Sequence, residues 1–188
     1  MKTVSQETIN ILFLCLVSIT ATFIIAGICF IIFQNYIPSF IEIWNRWDTK
    51  WLISIAEYGY QNTDIQRLSV TFLPLYSWLI RLVTIFTRNY LVSSLLISNL
   101  CFVASIFIFY KLIKKDFSQN VAWQTVVFFS IFPTAYFLHA GYAESLFIML
   151  VFASIYFARE KKWFLSALMG MLASLSRIFG IILLPFFL

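Results

Sequence analysis

Apolar residues fill long stretches of this chain, and the polar positions between them outline a series of helices. The first stretch, Ile9 to Phe33, holds 25 residues without a charge, enough to cross a hydrocarbon core that needs roughly 20. It is too long for a signal-peptide core and no small-residue cleavage site follows, so it reads as an anchor helix. Further runs at Leu91 to Tyr110, Val121 to Leu138, Tyr142 to Ala158 and Trp163 to Leu188 predict four more spans. Basic clusters alternate with them: Lys111, Lys114 and Lys115, then Arg159, Lys161 and Lys162, with the nearly uncharged turn His139 to Ser145 between. The positive-inside rule places both clusters and the N-terminus on the cytoplasmic face, and that turn and residues 34–89 outside.

The outer segment has helical patterns of its own. Pro74, Ser77, Arg81, Thr84 and Arg88 recur at spacings of 3, 4, 3 and 4, one polar face of a helix over 72–88. Such a stripe suits a helix in the membrane interface; a sixth crossing is the alternative. Trp44, Trp47, Trp51, Ile55 and Tyr58, at spacings of 3, 4, 4 and 3, predict a second interfacial helix with an aromatic face and Gly59 as its stop. Ser94, Ser98, Cys101 and Ser105 form a small-residue stripe, expected where helices approach closely in lipid. The fold class is an all-α integral membrane bundle, one domain over 1–188, with about five transmembrane helices and two interfacial helices in the first outer loop. From Gly180 to Leu188 the chain is apolar without a polar cap, as expected of a chain truncated at its C-terminus.

Composition supports a lipid environment. With 62% hydrophobic and 11% charged residues, the chain has about half the charge of an average soluble domain and cannot cover itself with polar surface. The net charge of +5 is scattered between apolar runs, which excludes a nucleic-acid-binding stripe. Cys15, Cys29 and Cys101 lie within apolar runs without CxxC spacing and read as buried or lipid-facing thiols. The expected location is a multi-pass one: the plasma membrane of a prokaryote, or the endoplasmic reticulum of a eukaryote.

Ionisable residues concentrate on the outer side. Asp48, beside Arg46 and Lys50, sits just off the aromatic face. A carboxylate there can take a proton from a hydroxyl while cations receive an anionic leaving group; the plainer alternative is a solvated side chain on an anchoring helix. Glu144 opens a span, where a helix N-terminus favours an anion. Arg177 lies 14 residues beyond Trp163, about 21 Å from the inner end, where it can bind a lipid phosphate or snorkel to the interface. His139 reads as a polar turn residue. No metal site is arguable at these spacings, and a divalent cation shared by Asp48 and Glu144 is left open.

The order of short motifs carries a resemblance. Arg46-Trp47-Asp48 is followed by Ile55-Ala-Glu-Tyr-Gly-Tyr60, Phe72-Leu-Pro-Leu-Tyr76 and Leu79-Ile-Arg-Leu82. Then come Phe132-Pro-Thr-Ala-Tyr-Phe137, Tyr142-Ala-Glu-Ser-Leu146 and Ser174-Leu-Ser-Arg-Ile-Phe-Gly180. Together they resemble the PIG-V-type mannosyltransferases, the family of GPI mannosyltransferase 2 and its prokaryotic relatives, which have the GT-C fold. The resemblance implies transfer of mannose from a polyprenyl-phosphate sugar to a glycan or glycolipid acceptor on the non-cytoplasmic face. It makes Asp48 the catalytic acid of the first outer loop, with Arg46 and Trp47 beside it at the substrate. Glu144 matches the acid after the third span, and Arg177 the Ser-Leu-Ser/Thr-Arg motif, although Ile178 departs from the polar residue or proline usual after it.

The chemistry agrees with the residues. An inverting direct displacement needs one base and cationic help for the departing phosphate, not the paired carboxylates of glycoside hydrolysis. Asp48 as base, with Arg81, Arg88 or Arg177 near the phosphate, meets that need. The alternative is a non-catalytic multispanning protein, a transporter or complex subunit, or an inactive fragment of the enzyme. Transport predicts paired charges near the midplane, whereas these gather on the outer side.

Overall fold

The computed structural model describes residues 6–61 and 66–183, and among these the chain is all helical, with no strand. The helices are α1 (Gln6–Phe33), α2 (Asp48–Tyr58), α3 (Pro74–Thr87), α4 (Tyr90–Ile113), α5 (Gln119–Ile131), α6 (Tyr136–His139), α7 (Glu144–Arg159) and α8 (Trp163–Ser176). Short 3-10 turns occupy Phe40–Trp44, Gln66–Thr71, Pro133–Ala135 and Ile178–Ile182. With 28 and 24 residues, α1 and α4 are long and apolar enough to cross a membrane.

Two of the expected spans are not continuous helices. The run 121–138 breaks at Phe132–Pro133, because proline lacks an N–H and its ring clashes with the preceding turn; the axis bends there by 66°, giving a third crossing only if α5 and its continuation to His139 count as one. The run 163–188 stops at Ser176, where Arg177 turns extended at φ −147° and ψ 142°. Residues 184–188, the end of that expected span, lie outside the described residues. At 16 and 14 residues, α7 and α8 are shorter than the roughly 20 that span a bilayer core.

The bundle is organised around α4. Its stripe of Ser94, Ser98, Cys101 and Ser105 is buried, and small side chains let neighbouring backbones approach. Ser98 Oγ donates to the Tyr142 carbonyl at 3.0 Å, and the Tyr76 hydroxyl donates to the Ser94 carbonyl at 2.9 Å. At the other end of α4, ion pairs Lys114–Glu7, Lys115–Glu160 and Arg159–Asp116 tie the start of α1 to the ends of α4 and α7. Both basic clusters therefore lie at one end of the bundle, with α1 antiparallel and α7 parallel to α4.

His139 is a buried joint between helices. Its Nδ1 lies 3.0 Å from Asn99 Oδ1 on α4 and its Nε2 2.9 Å from Ser18 Oγ on α1. Asn99 Nδ2 also donates to the carbonyls of Leu95 and His139. A polar ring inside apolar packing is tolerated because both nitrogens are partnered.

The outer segment folds into the two helices its periodicity indicates, with one correction. α2 opens at Asp48, so neither Trp47 nor Trp44 lies in the helix that carries Trp51, and of the two the one that departs further is Trp44. It belongs to the 3-10 turn, is buried, and packs against Phe23 at 4.7 Å and Tyr136 at 5.7 Å. The interruption is at Trp47, whose φ of 44° no helix admits. Gly59 ends α2 as expected, with φ 76°. The polar stripe of α3 turns onto neighbouring helices: Ser77 Oγ donates to the Leu52 carbonyl at 2.9 Å, and Thr84 Oγ1 lies 2.8 Å from Ser93 Oγ.

Candidate active site

Three helix ends meet at the start of α7. The first belongs to α2, which opens at Asp48 directly after Trp47, at φ 44° and ψ −121°. A bulky residue in that region costs about 1–3 kcal/mol and persists only where its surroundings hold it. Leu52, Ile55 and Ala56 bury one face of α2, which docks the helix that Asp48 opens.

Glu144 opens α7, after a loop that passes close to α2 and α4. A Cβ on Gly141 would stand 2.4 Å from Ser94 Oγ and 3.0 Å from Thr49 Cγ2, so any side chain here would make Ser94 and Thr49 shift. Arg177 arrives from the end of α8. The chain folds back after it because Gly180 packs on the helix it has just left, where a Cβ would lie 2.4 Å from the Ser174 nitrogen.

The three side chains line one cleft of about 110 Å³ together with Leu52, Phe72, Leu73, Ser176 and Phe179. Arg177 pairs with Glu144 through Nη1 and Oε1. Their side chains are 31% and 25% exposed, and this partial removal from water strengthens the attraction relative to a surface pair. Glu144 Oε2 and Ser176 Oγ are buried without a hydrogen-bond partner. Unpaired buried polar atoms are rare, and those on a cleft wall are where a ligand's polar groups would be received. Neither α2 nor α7 has a side-chain N-cap, so first-turn N–H groups are also free of side-chain partners at a position that favours anions.

The remaining expected residues are placed differently. Arg46 is exposed, and its carbonyl accepts from the Thr49 N–H at 3.1 Å. Trp47 is 69% exposed and stacks on Phe137 at 6.2 Å. Arg81 donates to the carbonyls of Ala56 at 2.6 Å and Glu57 at 3.3 Å, closing the last turn of α2, where a cation complements the helix dipole. Arg88 ends α3 in the left-handed conformation at φ 54°, a helix length of about 20 Å from the Phe72 end. The structure thus brings Asp48, Glu144 and Arg177 together and leaves Arg81 and Arg88 out of the cleft. Phe72, Leu73, Ser176 and Phe179 were not singled out as site residues, although the strings Phe72-Leu-Pro and Ser-Arg-Ile-Phe contain them.

Among the described residues no group of three or more His, Cys, Asp or Glu gathers as a metal site. A divalent cation in the cleft would have Asp48 and Glu144 as its protein carboxylates and would complete its shell with phosphate and water oxygens. A second, apolar groove of about 530 Å³ runs between α5–α6 and α7, lined by Phe128, Phe129, Phe132, Phe137 and Ile148, and reaches Glu144.

Residues 72–188 match the family described as dolichyl-phosphate-mannose-protein mannosyltransferase. No curated protein and no solved structure matches the chain. The matched region runs from the start of α3 onward and includes Glu144 and Arg177, while Asp48 precedes it. It supports a GT-C mannosyltransferase-type family and does not single out the PIG-V type. Because the match covers more than half of the chain, whose described residues hold no strand and include two helices long and apolar enough to cross a membrane, the protein belongs to the dolichyl-phosphate-mannose-protein mannosyltransferase family of membrane glycosyltransferases.

Proposed function

We propose that the chain transfers a sugar, mannose by family and by motif, from a polyprenyl-phosphate donor to a glycan or glycolipid hydroxyl on the non-cytoplasmic face, as in PIG-V-type enzymes. The supporting observation is the convergence of Asp48, Glu144 and Arg177 on one cleft from three separate segments. Asp48 accepts the proton of the acceptor hydroxyl as its oxygen attacks the anomeric carbon, and the donor phosphate departs as an anion. Arg177 faces the charge that develops on that phosphate, helped by the uncapped N-termini of α2 and α7. Glu144 holds the guanidinium in place and keeps Oε2 for a donor or acceptor hydroxyl. The phenylalanine-lined groove ending at Glu144 suits the polyprenyl chain.

The test is incubation of membranes containing the protein with radiolabelled polyprenyl-phosphate-mannose, comparing wild type with Asp48→Asn. Loss of product by about 100-fold or more, with equal folded protein in the membrane, is expected for a general base. Product formation by Asp48→Asn at the wild-type rate would remove Asp48 from the mechanism.

A further inference from the structure

A second site lies at the opposite end of the bundle from the cleft. A cavity of about 370 Å³ opens between α1, α4 and α7, edged by Lys111, Lys114, Lys115, Tyr110, Tyr156 and Glu7. That volume falls within the roughly 300–1,000 Å³ typical of ligand sites. Two of the ammonium groups are held by aromatic rings: Lys114 Nζ lies 5.7 Å from the Tyr110 centroid and Lys115 Nζ 5.2 Å from that of Tyr156. Lys114 pairs with Glu7, and Lys115 with Glu160 on the far side. Lys111 has no hydrogen bond or ion pair among the described residues, and so leaves a positive charge unbalanced at the cavity rim.

The local charge balance points the same way. Among the described residues, Lys111, Lys114, Lys115, Arg159, Lys161 and Lys162 gather at this end with the acids Glu7, Asp116 and Glu160. The cavity is not a purely polar one, because Ile11 and Phe107 form part of its wall. Further round the same turn of α1, Leu12 and Phe13 are exposed apolar side chains. An anion with an attached apolar chain matches this combination better than a small soluble anion: lysines at the rim receive the phosphate, and the apolar wall of Ile11 and Phe107 receives the start of the chain.

We propose that this cavity binds the phosphate headgroup of an anionic phospholipid in the leaflet opposite the active site. The site does not depend on the glycosyl-transfer reading and stands or falls separately from it. The lipid joins the N-terminal end of α1 to the ends of α4 and α7, beside the Glu7–Lys114 pair.

The experiment is native mass spectrometry of the full chain released from nanodiscs of phosphatidylcholine doped with phosphatidylglycerol. One retained phosphatidylglycerol per chain is expected, with about fivefold weaker retention in Lys111→Gln and in Lys115→Gln. Lys111→Gln breaks no hydrogen bond or ion pair among the described residues, so its folding should match wild type, which a melting curve checks. Lys162→Gln removes the same charge outside the cavity and should leave retention within twofold. Three results would each overturn the proposal: equal retention of phosphatidylcholine and phosphatidylglycerol, equal weakening by Lys162→Gln and Lys111→Gln, or displacement of the lipid by millimolar inorganic phosphate.

Discussion

Separating Glu144 from Arg177 tests whether the cleft is held by the charge pair that closes it. Removing Arg177 leaves Glu144 without its ion-pair partner, while removing Glu144 leaves Asp48 as the carboxylate that shares the cleft with Arg177. Hydrogen bonds to charged groups contribute about 1.5–3 kcal/mol, and breaking a fully buried ion pair costs about 3–5 kcal/mol. With side chains 31% and 25% exposed, the lower part of that range applies, so Glu144→Gln and Arg177→Gln should each lose about 2 kcal/mol. For a chain of this size that corresponds to about 4–8 °C in melting temperature. The double variant should be no less stable than the worse single one, giving a coupling energy of about 2 kcal/mol in a cycle measured by thermal denaturation in one nanodisc composition. Additivity of the two singles to within about 0.5 kcal/mol would show that the side chains do not interact, and the account of how Arg177 is positioned would be wrong.

Three more outcomes follow from backbone and surface features. At Trp47, Gly should be more stable than Ala by about 1–2 kcal/mol, since both lose the ring contact with Phe137 but only Gly relieves the positive φ; equal melting temperatures would argue against strain there. Gly180→Ala should destabilise by about 1–3 kcal/mol and abolish transfer by displacing Arg177, whereas Gly27→Ala, with open space around its Cβ, should be neutral or stabilising by up to about 1 kcal/mol; similar melting curves for the two would contradict the close packing at Gly180. Hydrogen bonds from Arg159 and Lys115 hold the Asp116 and Glu160 carboxyls below their ordinary pKa values. Their stabilisation is therefore full above about pH 4–5 and fades as pH falls through the depressed values. Melting temperature against pH should have a flatter acid limb in Asp116→Asn/Glu160→Gln than in wild type, and superimposable limbs would count against these pairs.

Periodicity read the helical parts well because long apolar runs leave the backbone few other ways to satisfy its N–H and C=O groups in lipid. The stripe of Ser94, Ser98, Cys101 and Ser105 was legible as a packing face, and Gly59 as a helix stop. The interruptions were harder. Pro133 carried its own signal, but the spacing of Ser174 to Gly180 does not show that the backbone leaves the helix at Arg177, nor that the side chain then meets Glu144, 33 residues earlier in the chain. Trp47 interrupts a regular aromatic stripe with a positive φ that the spacing does not signal. Arg81 and Arg88 show the converse limit. The periodicity identified their shared polar face correctly, yet the carbonyls of α2 and the corner between α3 and α4 occupy that face, not the cleft.

The shortness of α7 has a consequence for the membrane itself. From Glu144 to Arg159 the helix measures about 24 Å, against about 30 Å of hydrocarbon in an ordinary bilayer. In the topology proposed above, with the basic end of α7 at one boundary, the carboxylate–guanidinium pair would sit about 6 Å short of the other, and lipids around this helix would have to thin or water would have to reach down to meet the charges. Bilayer thickness then becomes a control on access: shorter acyl chains bring the water boundary to the cleft, and longer ones bury it.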